Sequence, residues 1–294
     1  MIMNSHLKGM ALVIFAAVMW GIGGIAAQYL FKSVGAAPEW LVTVRLLCSG
    51  ILLLSLTYIQ TKSIFPVLKK HLLSILVLGV IGLLCSQYLF YVCIAHSNAP
   101  TATILVFLLP VFLMVYTLVF KHKRPSALEV LSIALAMLGT LLIVTKGDFS
   151  SISLSPIALC TGIASSLCCV VYTIQPRRLL AQYPPANVIG WGMLTGGIVM
   201  ACFHDVTQVP ADFDFWALLC VIAVVLLGTT LAFFFYLKSI LLISPTQVGI
   251  LTVAEPLSSI TLSALLLNVS LSVPELIGAA LILSTVFILA KAKA

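Results

Sequence analysis

Two ionisable side chains stand inside long apolar runs: Glu255 and Arg45. A carboxylate at the middle of a bilayer costs about 2.5–3.5 kcal/mol on insertion scales, so Glu255 must face a cavity or a partner. It serves either as a group that takes up a proton or cation, or as a structural glutamate paired with Arg45 or bonded to freed backbone. Arg45 has three uses open to it: gripping a substrate carboxylate by two parallel hydrogen bonds, pairing with Glu255, or snorkelling outward. Lys238 lies one turn from the end of its apolar run and is expected to snorkel.

Around these charges, polar and aromatic residues recur at helical spacing. Trp20, Gly24 and Gln28 share one face. Gln87 and Tyr91 share another, with Tyr88 beside them. Cys168, Tyr172 and Gln175 form a third, and Thr252, Glu255 and Ser259 a fourth. Facing one another, they would enclose a moderately polar, aromatic cavity suited to small amphiphilic solutes. Taken singly, each Tyr or Gln could equally sit at headgroup level or bridge two helices. Pro110 and Pro256 interrupt the middle of two runs. A proline frees the carbonyl four residues earlier, and free backbone survives in a membrane only against protein or a water-lined cavity. They act as kinks that point to the centre of the molecule, or merely as packing kinks.

The elements that hold these residues are transmembrane helices. The 294 residues are 62% hydrophobic and 8% charged, with a mean hydropathy of +1.23. Soluble domains carry about 25% charged residues, so lipid is the solvent for most of this chain. At roughly 20 apolar residues per crossing, spans fall at 8–31, 38–60, 71–94, 99–120, 126–146, 155–178, 185–204, 214–242, 245–267 and 272–291. Turn chemistry separates them: Gly35 to Pro38, Asn98 to Pro100, Arg124-Pro125, Ser155-Pro156, Pro184-Pro185 and Ser244-Pro245. The runs are continuous rather than alternating, which excludes a β-barrel. The first run has no small-residue cleavage site after it and reads as a retained helix.

The net charge of +7 is scattered between apolar runs, so it signals topology rather than nucleic-acid binding. With the N-terminus inside, twelve Lys and Arg residues fall on the cytoplasmic side, among them Lys62, Lys69, Lys70, Lys123, Arg177, Arg178 and Lys293. Only Lys32 and Lys146 fall outside, along with Asp148, Asp205, Asp212 and Asp214. Both termini are therefore placed in the cytoplasm, with the chain in a bacterial plasma membrane. The eight cysteines form no CxxC pair, so neither a metal site nor a disulfide framework is expected.

Sliding the chain by half its length matches it to itself. "PEWLVTVRLLCSGI" (38–51) lies over "PANVIGWGMLTGGI" (185–198), and "ATILVFLLP" (102–110) over "VGILTVAEP" (248–256). The pairs Ser126/Glu129 and Ser272/Glu275 are equivalent helix-opening capping boxes. Residues 8–146 and 155–291 thus form two repeats. Five helices per repeat is odd, so the second enters from the opposite side. The fold class expected is all-α integral membrane: ten transmembrane helices as two inverted five-helix repeats around a central cavity.

"WGIGGIAAQYLF" (20–31) and "VRLLCSGILLL" (44–54) resemble the first two helices of the EamA family in the drug/metabolite transporter superfamily. The stretch 236–283 is similar to its eighth to tenth helices, with Glu255-Pro256 inside the ninth. Asn268 departs from the Gly-Glu that members often carry there. The resemblance implies a ten-helix carrier that exports amino acids, other metabolites or toxic compounds, with Trp20, Arg45, Glu255 and Pro256 at motif positions.

The function expected is secondary transport of small metabolites such as amino acids or amines, by alternating access and in the export direction. Uptake of a small amine or carboxylate is the alternative within transport. A non-transporting sensor or structural protein is the alternative outside it. No GxxxxGK[ST] motif is present, so ATP does not drive it directly. The spans lack the clustered carboxylates or acid–base pairs of an intramembrane enzyme. No cofactor is expected. The partners expected are the lipid bilayer, a small-molecule substrate and, in a coupled carrier, protons.

Overall fold

The computed structural model describes residues 4–121, 126–148, 154–239, 242–243, 251–269 and 271–292. The turns at Arg124-Pro125 and Ser244-Pro245, the start of the ninth span, Lys123 and Lys293 lie outside them. So do the side chains of Pro110 and Glu129.

The described residues are mainly helical, with no strand among them. Ten helical columns follow in chain order. They are α1 (Asn4–Lys32), α2 (Pro38–Thr61), α3 (Phe65–His96) and α4 (Ala99–Val106 continued by Leu109–Lys121). Then come α5 (Ala127–Thr145), α6 (Pro156–Ile174) and α7 (Pro185–Ala201). The last are α8 (Phe215–Ile222 continued to Ser239), α9 (Ala254–Leu267) and α10 (Val273–Ala292).

Their starts reflect local chemistry. Proline opens α2, α6 and α7, where its missing N–H costs nothing. Asn98 caps α4 by accepting from the Thr101 N–H at 2.9 Å, and Asp214 caps α8 through Ala217 N–H at 2.7 Å. At α10, Glu275 accepts from both the N–H and the hydroxyl of Ser272, and its other oxygen lies 3.5 Å from Lys146 Nζ. This joins the end of α5 to the start of α10.

Five helices are by themselves long and apolar enough to cross a bilayer: His6–Lys32, Pro38–Thr61, Phe65–His96, Pro156–Leu180 and Phe215–Tyr236. Four further apolar helices are shorter over the described residues. The helix α4 breaks at Phe107 and Leu108, just before Pro110, and Pro256 falls in the first turn of α9. Large apolar side chains such as Ile59, Leu73, Phe120 and Leu265 remain exposed on the outside of the bundle, as a lipid-facing surface requires.

The packing repeats itself. Helix α2 lies along α7, α5 along α10, and α4 against α9. Helix α1 packs on α8 and α9, and α6 packs on α3 and α4 in the same way. Advancing both helix numbers by five turns α1–α8 into α6–α3 and α1–α9 into α6–α4, and returns the other three pairs to themselves. The middles of α3 and α8 both widen into a π-helical stretch, Val77–Cys85 and Ala223–Leu231, which lie 146 residues apart at both ends. At the α2–α7 contact, a Cβ on Gly50 would stand 2.7 Å from the Leu194 nitrogen, and one on Gly197 would stand 2.9 Å from the Leu47 nitrogen. Each glycine therefore admits the backbone of the other helix.

Gly50→Val and Gly197→Val should each destabilise the protein by about 1–3 kcal/mol through overpacking. The check is the melting temperature in detergent. Cys48→Val, on the exposed side of the same helix, should leave that temperature unchanged.

Candidate functional site

A cavity of about 90 Å³ lies where helices of both chain halves meet. Helix α1 contributes Trp20 and the small Gly23 and Gly24, and α2 contributes Arg45. From α3 come Ser86, Gln87, Phe90 and Tyr91, and from α6 Ser165, Cys169 and Tyr172. Helix α8 adds Gly228 and Phe233, α4 adds Val106, and α9 adds Glu255.

Backbone irregularity shapes this space. Pro110 cannot donate to the Val106 carbonyl, and that carbonyl instead accepts from the Ser166 hydroxyl at 3.1 Å. In the widened part of α8, the hydroxyls of Thr229 and Thr230 reach back five residues to Val224 and Val225 carbonyls, at 2.7 and 2.9 Å. Ser49 of α2 also donates to Val225, at 3.3 Å. The Gly228 carbonyl is left to Arg45 Nη2 at 3.2 Å. On the α3 side, Ser165 donates to the Ser86 carbonyl at 2.8 Å. A π-helical stretch leaves carbonyls unpaired, and neighbouring helices take them up.

Arg45 is buried, at 6% exposure. Its Nη1 donates to Tyr91 Oη at 2.6 Å, and the guanidinium carbon lies 5.2 Å from the centre of the same ring. Tyr91 is itself held between Phe31 and Phe90. Glu255 sits half-buried at the first turn of α9, and its N–H closes a tight turn onto the Thr252 carbonyl at 2.9 Å. The Ser258 hydroxyl donates to the Glu255 carbonyl at 2.8 Å. Gly21 of α1 packs directly on this turn, because a Cβ there would overlap the Ser258 hydroxyl. Trp20 stacks edge-on against Phe233 at 5.5 Å and leans on Tyr236 at 5.3 Å.

The cavity thus gathers Trp20, Arg45, Gln87, Tyr91, Tyr172 and Glu255 from the residues that sequence singled out. It does not include five others. Gln28 accepts from the Ala99 N–H at 2.6 Å and so ties α1 to the start of α4. Gln175 donates to the Ser74 carbonyl at 2.9 Å, which fastens α6 to α3. Tyr88 donates to Glu39 at 2.6 Å across α2 and α3. Ser259 is fully buried in the body of α9, and Thr252 lies in the turn before Glu255. Arg45 and Glu255 share the cavity wall without forming an ion pair. An ion pair does form elsewhere, between Lys146 and Glu275.

Several lining residues escaped the sequence reading. Cys169 faces the cavity rather than Cys168, because helical spacing of three or four leaves a turn's orientation open. Ser86, Ser165, Phe90 and Phe233 look like ordinary span residues. Gly228 carried a usable signal, since it stands 146 residues after Gly82 and both lie in the widened stretches. Among the described residues no group of His, Cys, Asp or Glu is placed to hold a metal ion.

Comparison with known proteins agrees with this architecture. The model of the EamA-like transporter family matches the chain twice, over residues 7–145 and 156–291. A protein of Salmonella typhimurium named as an uncharacterized inner membrane transporter, YicL, is 38% identical over 289 residues, covering 98% of this chain and 96% of its own. An uncharacterized transporter of Archaeoglobus fulgidus is 21% identical over 97% of this chain and 99% of its own. A crystal structure with 18% identity superposes on the fold with a TM-score of 0.65, covering 97% of this chain and 96% of that one. Both the Salmonella and the Archaeoglobus relatives are named as transporters. The chain is a membrane protein of the EamA-like transporter family.

Proposed function

We propose that the chain is a secondary transporter of small metabolites, built from ten spans as two inverted five-helix repeats and working by alternating access around the central cavity. The observation that carries this reading is the cavity itself: helices from both halves line it, and it holds a carboxylate and a guanidinium that a purely structural bundle has no reason to keep. The repeated packing supports the inverted halves. The contacts of α1 with α8 and α9 recur as those of α6 with α3 and α4, and the widened stretches recur under a shift of 146 residues. Two similar halves of opposite orientation can exchange conformations and so open one cavity to each side in turn.

Glu255 is the candidate coupling group. It faces the cavity together with Arg45, Tyr172 and Cys169, on a turn freed by Pro256 and placed by the close approach of α1. The distribution of Lys and Arg supports cytoplasmic termini, and the inner membrane transporter among the relatives supports a bacterial plasma membrane. Export is the proposed direction, set in the cell by the gradients of solute and protons.

Purified protein in liposomes, loaded with a metabolite extract and read by mass spectrometry with and without a pH gradient, tests the reading. Saturable movement of a few solutes is the expected result. Absence of movement from folded protein would remove it. Glu255→Gln should leave the protein folded, slow turnover about tenfold or more, corresponding to about 1.4 kcal/mol of barrier, and abolish the response to the pH gradient. Unchanged kinetics at every pH would exclude Glu255 as the coupling group.

A further inference from the structure

The charges around the central cavity are unevenly provided for. Glu39, six residues before Arg45 on α2, is engaged by Tyr88 at 2.6 Å. Among the described residues no carboxylate lies within 4.0 Å of Arg45, Glu255 on the same cavity wall acts on it only from longer range, and its two hydrogen-bond acceptors, Tyr91 Oη and the Gly228 carbonyl, are both uncharged. Its Nε has no acceptor at all, although the side chain is more than nine-tenths buried. A guanidinium keeps its proton and offers five N–H donors in a rigid fork. Removing such a charge from water without a counter-charge costs several kcal/mol. A buried, unpartnered donor on a charged group has a cause to be sought, and a ligand is one such cause.

Resting on the transport reading above, we propose that the cavity takes its solute by an anionic group, a carboxylate or similar small oxyanion, seated on Arg45. Tyr91 is the positioning residue. Its hydroxyl and ring hold one edge of the guanidinium against α3; Nε is the donor that remains without an acceptor, and a planar fork of this kind matches a carboxylate by paired hydrogen bonds once the solute reaches it. The rest of the solute meets Trp20, Phe90 and Phe233, so its body is small and partly apolar. Arg45 also bonds the Gly228 carbonyl in the widened part of α8. An anion that draws the guanidinium off that carbonyl alters a contact between the halves, which links solute binding to their movement.

The test uses the full chain in liposomes. Solutes moved saturably from a metabolite extract are first sorted by charge. Competition by small carboxylates, such as propionate and lactate, is then compared with that of their amides, propionamide and lactamide. Every transported solute should carry an anionic group, and the amides should compete about tenfold less well or worse, the loss expected when a charged hydrogen-bonded partner goes missing. Arg45→Gln should lose transport, and Arg45→Lys should recover part of it as a point charge without the fork. Tyr91→Phe should raise KM by roughly three- to tenfold with kcat little changed, an outcome that a role in folding alone would not give. Saturable transport of neutral or purely cationic solutes, or amides that compete as well as carboxylates, would overturn the anion site while leaving the transporter intact. No transport by folded wild-type protein would overturn both. If Arg45→Gln fails to fold, the amide comparison on the wild type and the Tyr91→Phe kinetics decide.

Discussion

A bilayer offers the backbone no hydrogen bonds, so every carbonyl that leaves its own helix must find a donor on a neighbour. Much of the interior is organised around that constraint. Pro110 frees the Val106 carbonyl and Ser166 takes it. The widened stretch of α8 frees carbonyls that Thr229, Thr230, Ser49 and Arg45 take. Ser165 takes one on α3. The two threonine bonds stay within α8, the others run between helices, and several converge on the same small cavity. A helix that breaks its own ladder becomes dependent on its neighbour, and where several do so together a polar space opens inside an apolar bundle.

The same constraint sorts the polar side chains. Gln28, Gln175 and Tyr88 fasten one helix to another by satisfying backbone or carboxylate groups. Arg45 and Glu255 are different, because each contributes a charge to the cavity wall without an ionic partner among the described residues. In a protein of a transporter family that is the chemistry expected of a solute site. The pairing of helices across the two halves then makes the cavity a shared boundary rather than a pocket within one of them.

Much of this was legible in the sequence, for identifiable reasons. Helix starts were readable because Pro38, Pro156, Pro185 and Asn98 act locally. Glu255 and Arg45 stood out because charge inside an apolar run is costly. The two π-helical stretches lie 146 residues apart, close to the offset at which the sequence matches itself. Which face of a helix looks inward was less readable: Cys168 and Cys169 differ by about a quarter-turn, and only packing decides between them. The π-helical stretches have no residue signature beyond Gly82 and Gly228. The partners of Gln28 and Tyr88 lie on other helices, 71 and 49 residues away in sequence. The proposed pairing of Arg45 with Glu255 followed from charge alone. The structure instead gives Arg45 to Tyr91 and Gly228, because the guanidinium sits within reach of α3 and α8.

Alternating access requires the two halves to exchange positions around a fixed cavity. Two distances, measured in one cysteine-free protein in lipid by pulsed electron spin resonance, would follow that exchange. One spin-label pair would sit on the exposed Ser33 and Asn268, at the ends of α1 and α9. The other would sit on the exposed Gln182 and Leu242, after α6 and α8. Two populations that change in opposition are expected, one pair widening as the other narrows when pH or solute is varied. Distances that stay single and unchanged at both ends, or that widen together, would contradict alternating access.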